Sequence, residues 1–312
     1  MNHHLWTEVF WASVIGGGLV AGMPLMFASI GETISERSGV LNIGLEGMML
    51  FGAYGGFLGA YSGHTQWLGY LGGALAGMAA SVIMMVLCVW LGLDQIVVGI
   101  AITLAGEGIT SVLQGAEFGA SYPRLGATST LSIPLLDRLP IFGSTLFSQP
   151  PIVYLAFIFI GVLTWAFRAT NMGLNLRAAG EKPEALDAAG ISVIATRSYA
   201  VLATGFLAGL GGAYLAIVGA GLFTPFITQG QGYMAIVIAM LGRGRPVWVL
   251  AGSMLFGICL SLSDSLQIIG VDISTDWVNM IPFVAIILSL IIFARRSYLP
   301  PSLALPYVRG AR

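Results

Sequence analysis

The stretch Trp67-Leu-Gly-Tyr-Leu-Gly-Gly-Ala-Leu-Ala-Gly-Met-Ala-Ala-Ser-Val-Ile-Met-Met-Val-Leu-Cys-Val-Trp-Leu91 contains no charged residue. As an α-helix it is long enough to cross the roughly 30 Å hydrocarbon core of a bilayer. A backbone in lipid must satisfy its own hydrogen bonds, which restricts spanning structures to helices and closed barrels. Because the apolar residues are continuous rather than alternating, the stretch predicts a transmembrane helix.

The composition extends this prediction to the whole chain. Of 312 residues 57% are hydrophobic and 9% are charged, and the mean hydropathy is +0.89. Soluble domains carry about 25% charged residues. We therefore predict an all-α polytopic membrane helix bundle, a single domain over residues 1–312 with about nine transmembrane helices. The predicted spans are 9–30, 40–61, 67–91, 96–114, 152–167, 199–222, 223–241, 247–269 and 277–294.

The basic residues predict the orientation of the bundle, because cytoplasmic connections carry an excess of Lys and Arg. With the C-terminus cytoplasmic and the N-terminus outside, Arg124 and Arg138 fall outside. The cytoplasmic basic residues are then Arg37, Arg168, Arg177, Lys182, Arg197, Arg243, Arg245, Arg295, Arg296, Arg309 and Arg312. The two long connections become an external loop at 116–151 and a cytoplasmic loop at 168–198.

The seventh span has an unusual sequence, Phe-Thr-Pro-Phe-Ile-Thr-Gln-Gly-Gln-Gly-Tyr over residues 223–233. Irregular backbone at membrane depth is tolerated only where it is buried in protein or lines a wet cavity. We expect a helix that is broken near Gly230 and Gly232. The alternative is an external loop followed by a short tilted helix.

A weak internal repeat relates residues 45–52, Leu-Glu-Gly-Met-Met-Leu-Phe-Gly, to residues 250–257, Leu-Ala-Gly-Ser-Met-Leu-Phe-Gly. Both segments begin at the cytoplasmic face of the predicted topology and run outward, so they would be parallel repeats. Such repeats are common in transporters and place the substrate path between the two halves. Chance similarity of Gly- and Leu-rich segments is the alternative.

Polar groups inside predicted spans are functional candidates, because a charge at the bilayer centre costs about 2.5–3.5 kcal/mol on insertion scales. Glu107 lies deepest, and it fits a structural carboxyl group and a pathway residue equally well. For Glu46 a structural role is favoured, with hydrogen bonds to the backbone amides of its own turn. The substrate-pathway candidates are Asn42, Glu46, Glu107, Gln229, Gln231 and Tyr233.

A short helix is predicted within the cytoplasmic loop, between Pro183 and Ala189. Proline suits the first helical position, Glu184 is favourable in the first turn, and Gly190 fits just past the end. Two turns are too few for a helix to be stable alone. The helix therefore rests on its own protein or on a separate cytoplasmic subunit; a plain connector is the alternative.

Four segments resemble a known family. Residues 184–191, Glu-Ala-Leu-Asp-Ala-Ala-Gly-Ile, resemble the coupling loop of bacterial ABC importer permeases. The segments 36–48, 171–181 and 230–242 are similar to the branched-chain amino acid and simple-sugar permease family, and within it most like the nucleoside-type permeases. Two positions depart from the pattern: Gly244 stands where the family usually has a bulky aromatic, and Gln231 where the nucleoside group more often has Arg.

The resemblance implies a complex. A second permease of the family would complete the pore, and two cytoplasmic ATP-binding subunits would receive the loop through Pro183, Glu184, Ala185, Ala189 and Gly190. A substrate-binding protein would dock outside, and the chain would lie in the bacterial cell membrane. Nucleosides are the expected cargo, with simple sugars and branched-chain amino acids as alternatives in the same class.

The residues predict a transport subunit rather than an enzyme. The chain has no Gly-x-x-x-x-Gly-Lys-[Ser/Thr] phosphate-binding loop, and no nucleophile and base share a suitable spacing. The histidines, His3, His4 and His64, lie at terminal or external positions, so no metal site or cofactor is expected. A net charge of −1 indicates no nucleic-acid partner. An ion-coupled secondary transporter remains an alternative, and Glu107 is its main support.

Overall fold

The computed structural model describes residues 8–132, 143–268, 277, 280–293 and 299–307. The helices bounded within these residues are α1 Glu8–Ser38, α2 Leu45–Gly63, α3 Gln66–Met84, α4 Gln95–Phe118, α5 Gly143–Phe147, α6 Pro151–Ala169, α7 Asn171–Glu181, α8 Pro183–Ala188, α9 Val193–Tyr214, α10 Gln231–Gly242, α11 Pro246–Ile268 and α12 Ile281–Phe293. Helices α3 and α9 continue as π-helical turns, Met85–Trp90 and Leu215–Ala220. Strand β1, Leu131–Ser132, pairs antiparallel with β2, Ser148–Gln149.

Six helical stretches in this part of the chain are long and apolar enough to cross a membrane. They are Phe10–Ser38, Gln66–Trp90, Gln95–Phe118, Pro151–Ala169, Val193–Ala220 and Pro246–Leu266. An all-α, multi-pass architecture is therefore confirmed, whereas six is fewer than the nine spans predicted. Three predicted spans are not among these six. Helix α2 is long enough, with 19 residues, but less apolar, whereas α10 and α12 have only 12 and 13 residues.

Large apolar side chains cover the outside of the bundle. Val97 and Val112 on α4 are 67% and 70% exposed, and Ile158 on α6 is 63% exposed. Soluble monomers rarely expose contiguous apolar surface on this scale. These faces are suited to lipid or to another membrane subunit.

Glycines bring three helices together at the centre. A Cβ atom at Gly52 of α2 would lie 2.3 Å from the Cα of Gly209 on α9. One at Gly77 of α3 would lie 2.4 Å from the carbonyl oxygen of Gly205, also on α9. Small residues at such contacts allow backbones to approach closely in a membrane bundle. The three helices α2, α3 and α9 thus form one tightly packed unit.

Two predicted boundaries were wrong because packing extends the helices into polar sequence. Helix α1 continues past residue 30 to Ser38, and Gly31 packs against Thr204 of α9. Helix α9 begins at Val193 rather than at 199, since the Ser192 hydroxyl caps it by accepting from the Ala195 amide at 3.2 Å. The predicted loop at 168–198 is consequently mostly helical.

The basic residues predicted to be cytoplasmic gather at one end where the structure describes them. Arg37 donates to the Gly244 carbonyl at 3.0 Å, and Arg197 donates to the carbonyls of Ser38, Ala179 and Leu305 at 2.8–3.2 Å. Five predictions fall on basic residues outside the described ranges: Arg138, Arg295, Arg296, Arg309 and Arg312. The ends of the eighth and ninth predicted spans and part of the 116–151 loop also lie outside them.

Candidate functional site

The irregular backbone predicted in the seventh span is present, and whether it is a broken membrane helix or an external loop before a short helix stays a prediction. Residues 223–230 form irregular turns, and α10 begins only at Gln231. Gln229 and Gly230 have φ angles of +46° and +83°, a backbone conformation in which glycine is favoured and a β-branched residue would be strained. With 12 residues, α10 is about 18 Å long, little more than half of the hydrocarbon core.

The N-terminus of α10 is bound by a carboxylate from α2. Glu46 accepts the amide of Gly230 at 2.8 Å through Oε1 and the amide of Gly232 at 2.6 Å through Oε2. The Thr228 hydroxyl also donates to Oε1. The first amides of a helix lack intrahelical partners and carry partial positive charge. Glu46, only 4% exposed, therefore neutralises the start of this half-helix inside the protein.

The expectation that Glu46 would bond to amides of its own turn was wrong. Its partners belong to a segment more than 180 residues away in the chain. This contact requires glycine at position 232, where a Cβ atom would lie 2.5 Å from the backbone of Glu46. Glu46 thus connects α2 to residues 229–233, which we call the tip of α10. We call this contact the tie.

Three predicted pathway residues lie at this tip. Gln229 is exposed, and Tyr233 is 43% exposed in the single chain. Gln231 is half-buried, and its side-chain Oε1 has no hydrogen-bond partner among the described residues. The tip thus combines two amide side chains and an accessible aromatic ring. A neutral polar ligand could be bound there by hydrogen bonds and stacking.

The other two candidates lie apart from the tip. Asn42 is fully buried between α1 and α2, where its Nδ2 contacts the sulfur of Met48 at 3.2 Å. Its backbone amide donates to Glu32 at 2.9 Å. Glu107 is half-buried midway along α4. Asn42 thus lies in the buried loop that leads into α2, while the role of Glu107 stays a prediction.

Sequence reasoning missed two further buried carboxylates, Glu32 and Glu36, which are 0% and 5% exposed. They are one helical turn apart on α1, beyond the predicted end of the first span. Ile30 and Ile34 continue the apolar positions of α1 at helical spacing. This pattern could have indicated that the helix continues through Glu32 and Glu36. Thr228 was also missed, since its partner could not be known from local sequence.

The short helix α8 forms as predicted at the basic end of the bundle. Pro183 is its first residue, and Gly190 follows it with a φ of +82°. Leu186 is buried and packs with Ala179 of α7 and Val193 of α9. Glu184, Ala185, Ala188 and Ala189 are exposed. The helix therefore rests on its own protein and leaves its opposite side exposed.

Comparison with known proteins decides the family. The sequence profile described as branched-chain amino acid transport system, permease component, matches residues 14–290. The chain belongs to this permease family. It is a multi-pass transport component rather than an enzyme.

Relatives of the permease span nearly its whole length. It is 32% identical to the nucleoside ABC transporter permease protein NupC of Lactococcus lactis over 95% of this chain and 97% of that protein. The guanosine ABC transporter permease protein NupQ of Bacillus subtilis is 32% identical over 96% and 97% of the two chains. TsgC13 of Haloferax volcanii, provisionally named a glucose ABC transporter permease protein, is 35% identical over 83% and 78%.

Proposed function

We propose that the permease moves nucleosides inward by alternating access, as one of two permease subunits in an ATP-driven importer. The observation that carries this proposal is the occupied N-terminus of α10. In many transporters the free amides of a half-helix bind an anionic group of the substrate. Here Glu46 already accepts the amides of Gly230 and Gly232, so the tip offers no free positive site to a cargo carboxylate.

This arrangement argues against a branched-chain amino acid as cargo. An amino acid brings a carboxylate and an ammonium group, and each needs a charged or dipolar partner when it is desolvated. A nucleoside instead offers hydroxyl groups and a flat base, which suit Gln229, Gln231 and Tyr233. A neutral sugar fits the glutamines equally well and is the second candidate, consistent with the similarity to TsgC13.

The exposed side of α8 supports coupling to separate ATP-binding subunits. Glu184, Ala185 and Ala189 face away from the bundle, and Leu186 anchors the helix to α7 and α9. A push on α8 would therefore reach the start of α9, which packs centrally against α2 and α3. We assign the docking surface for the ATP-binding subunits to Glu184, Ala185, Ala189 and Gly190, which are exposed, whereas Pro183, the fifth residue predicted for this contact, is buried and starts the helix.

The second permease, the membrane topology and the substrate-binding protein are part of the same proposal. Gln229 and Tyr233 are exposed in the single chain, and a second permease of the family would cover them and complete the path. We place nine crossings, the N-terminus outside and the C-terminus cytoplasmic in the bacterial cell membrane, with 45–52 and 250–257 as parallel repeats. A substrate-binding protein docks on the outer face.

Competition for uptake by the full complex in proteoliposomes tests the cargo. We expect unlabelled inosine to suppress uptake of labelled uridine at concentrations at least tenfold below those at which glucose or leucine has any effect. Tyr233→Ala is expected to weaken uptake more than Tyr233→Phe, because the ring provides the stacking surface. Equal suppression by glucose would favour a sugar as the cargo. Suppression by leucine would refute the claim that Glu46 leaves no site for a cargo carboxylate.

A further inference from the structure

A cavity of about 810 Å³ opens at the basic end of the bundle, between α1, α6, α7 and the turn from α10 to α11. Its lining includes Arg37, Arg168, Arg177, Arg243 and Arg245. We call it the arginine cavity. The acidic residues of its lining are Glu36 and Glu181, so the arginines exceed the carboxylates by three.

Part of the arginine cavity is held in place by neighbouring groups. The Arg37 guanidinium lies 4.1 Å above the centre of the Phe167 ring and donates to the Gly244 carbonyl. Glu181 pairs with Arg177 at 2.9 Å. Within the described ranges, Arg168, Arg243 and Arg245 form no ion pair. The cavity thus has fixed walls and guanidinium groups that are available to an anion.

The position of the arginine cavity indicates which anion it meets. Trp248 lines the cavity and is 62% exposed. Exposed tryptophans on a membrane protein are typical of the headgroup level of the bilayer. The α8 residues proposed to contact the ATP-binding subunits are not part of the lining. The exposed Trp248 therefore indicates that the cavity opens at the headgroup level on the side of α11, while Glu181 at the end of α7 brings its other wall next to α8.

We propose that the arginine cavity binds the phosphate group of an anionic phospholipid in the adjacent leaflet. Guanidinium groups match phosphate oxygens with paired hydrogen bonds. Basic pockets between membrane helices bind anionic headgroups in this way, while an exposed tryptophan contacts the acyl boundary. The lipid joins α6, α7 and the start of α11, three elements that meet at this cavity. This inference is independent of the cargo.

Native mass spectrometry of the purified full chain in detergent tests the proposal, by titration with phosphatidylglycerol and with phosphatidylcholine. The wild type is expected to bind phosphatidylglycerol preferentially. The double variant Arg243→Gln, Arg245→Gln loses roughly fivefold in affinity for each charge removed. The variant Arg243→Lys, Arg245→Lys keeps the charge but loses the paired hydrogen bonds, so it is expected to bind more weakly than the wild type and more tightly than the double glutamine variant. Arg124→Gln, which removes a charge outside the cavity, is the matched control and binds as the wild type does.

Several results would overturn the assignment. Equal affinity for both lipids, or equal phosphatidylglycerol binding by the double glutamine variant, would show that the arginines hold no lipid phosphate. Displacement of the lipid by equimolar inorganic phosphate would identify a site for free phosphate instead. If the double glutamine variant released the ATP-binding subunits from the complex while lipid binding stayed unchanged, the cavity would be a protein-docking surface.

Discussion

At residue scale, Glu46 joins two parts of the chain that local sequence cannot relate. Its polar character inside a span was evident from the sequence, and so was the irregular segment that ends at Gly230. The pairing was not, because Glu46 and Gly232 are separated by 186 positions. A break in a helix follows from local backbone preferences, whereas the partner of a buried charge depends on how whole helices pack.

Replacing Glu46 by Gln tests this tie. A glutamine places an NH₂ group where an acceptor is needed, so at least one amide of Gly230 or Gly232 loses its partner. An unsatisfied buried donor costs about 1–3 kcal/mol. We expect nucleoside uptake by the Glu46→Gln complex to fall to background, with a lower thermal unfolding midpoint of the purified chain.

Thr228 provides the matched pair for this experiment, since its hydroxyl donates to Glu46. Thr228→Ser keeps the donor and is expected to transport nearly as the wild type does. Thr228→Val has a similar shape without the donor and is expected to lose transport in part. Wild-type uptake by both Glu46→Gln and Thr228→Val would show that the tie has no role in transport.

At element scale, the unit formed by α2, α3 and α9 depends on glycine. A Cβ atom at Gly209 would lie 2.2 Å from the carbonyl oxygen of Gly73. Gly209→Ala is therefore expected to destabilise the chain by about 1–3 kcal/mol, the usual range for overpacking. Gly161→Ala on α6 adds the same methyl group where nothing lies within 4 Å, and should leave the unfolding midpoint unchanged or slightly higher. Thermal unfolding in detergent measures both, and similar midpoints would contradict the packing account.

The element α8 makes a separate prediction through Gly190. Its φ of +82° is strained for residues other than glycine, and asparagine tolerates it best. Gly190→Val is expected to abolish transport while leaving membrane insertion intact, because about 1–2 kcal/mol of strain would distort the end of the docking helix. Gly190→Asn should retain most uptake. Comparable uptake by the valine and asparagine variants would indicate a plain connector.

The same scale shows how far sequence patterns reach. The length of the apolar runs predicted the long apolar helices. Pro183 and Gly190 correctly predicted where α8 begins and ends. The extension of α1 to Ser38 was missed, since Glu32 and Glu36 are polar residues that only tertiary packing buries. Hydropathy therefore locates helices in lipid better than helices whose polar groups are enclosed by protein.

At the scale of the whole molecule, a packed centre connects the basic end of the permease to the interior site at the tip of α10. One end carries α8 and the arginines, and the tip of α10 lies inside, beside α2. Helix α9 begins at the basic end beside α8 and packs against the helix that carries Glu46. Motion of a docked ATP-binding subunit would thus have a direct mechanical route to the proposed cargo site.

Uptake of labelled uridine into proteoliposomes tests this account most directly. The wild-type chain is reconstituted with its ATP-binding subunits, second permease and binding protein, and compared with the chain alone and with the Glu46→Gln complex. The account predicts uptake only by the complete wild-type complex, and only while ATP is hydrolysed. Uptake by the chain alone without ATP would contradict it.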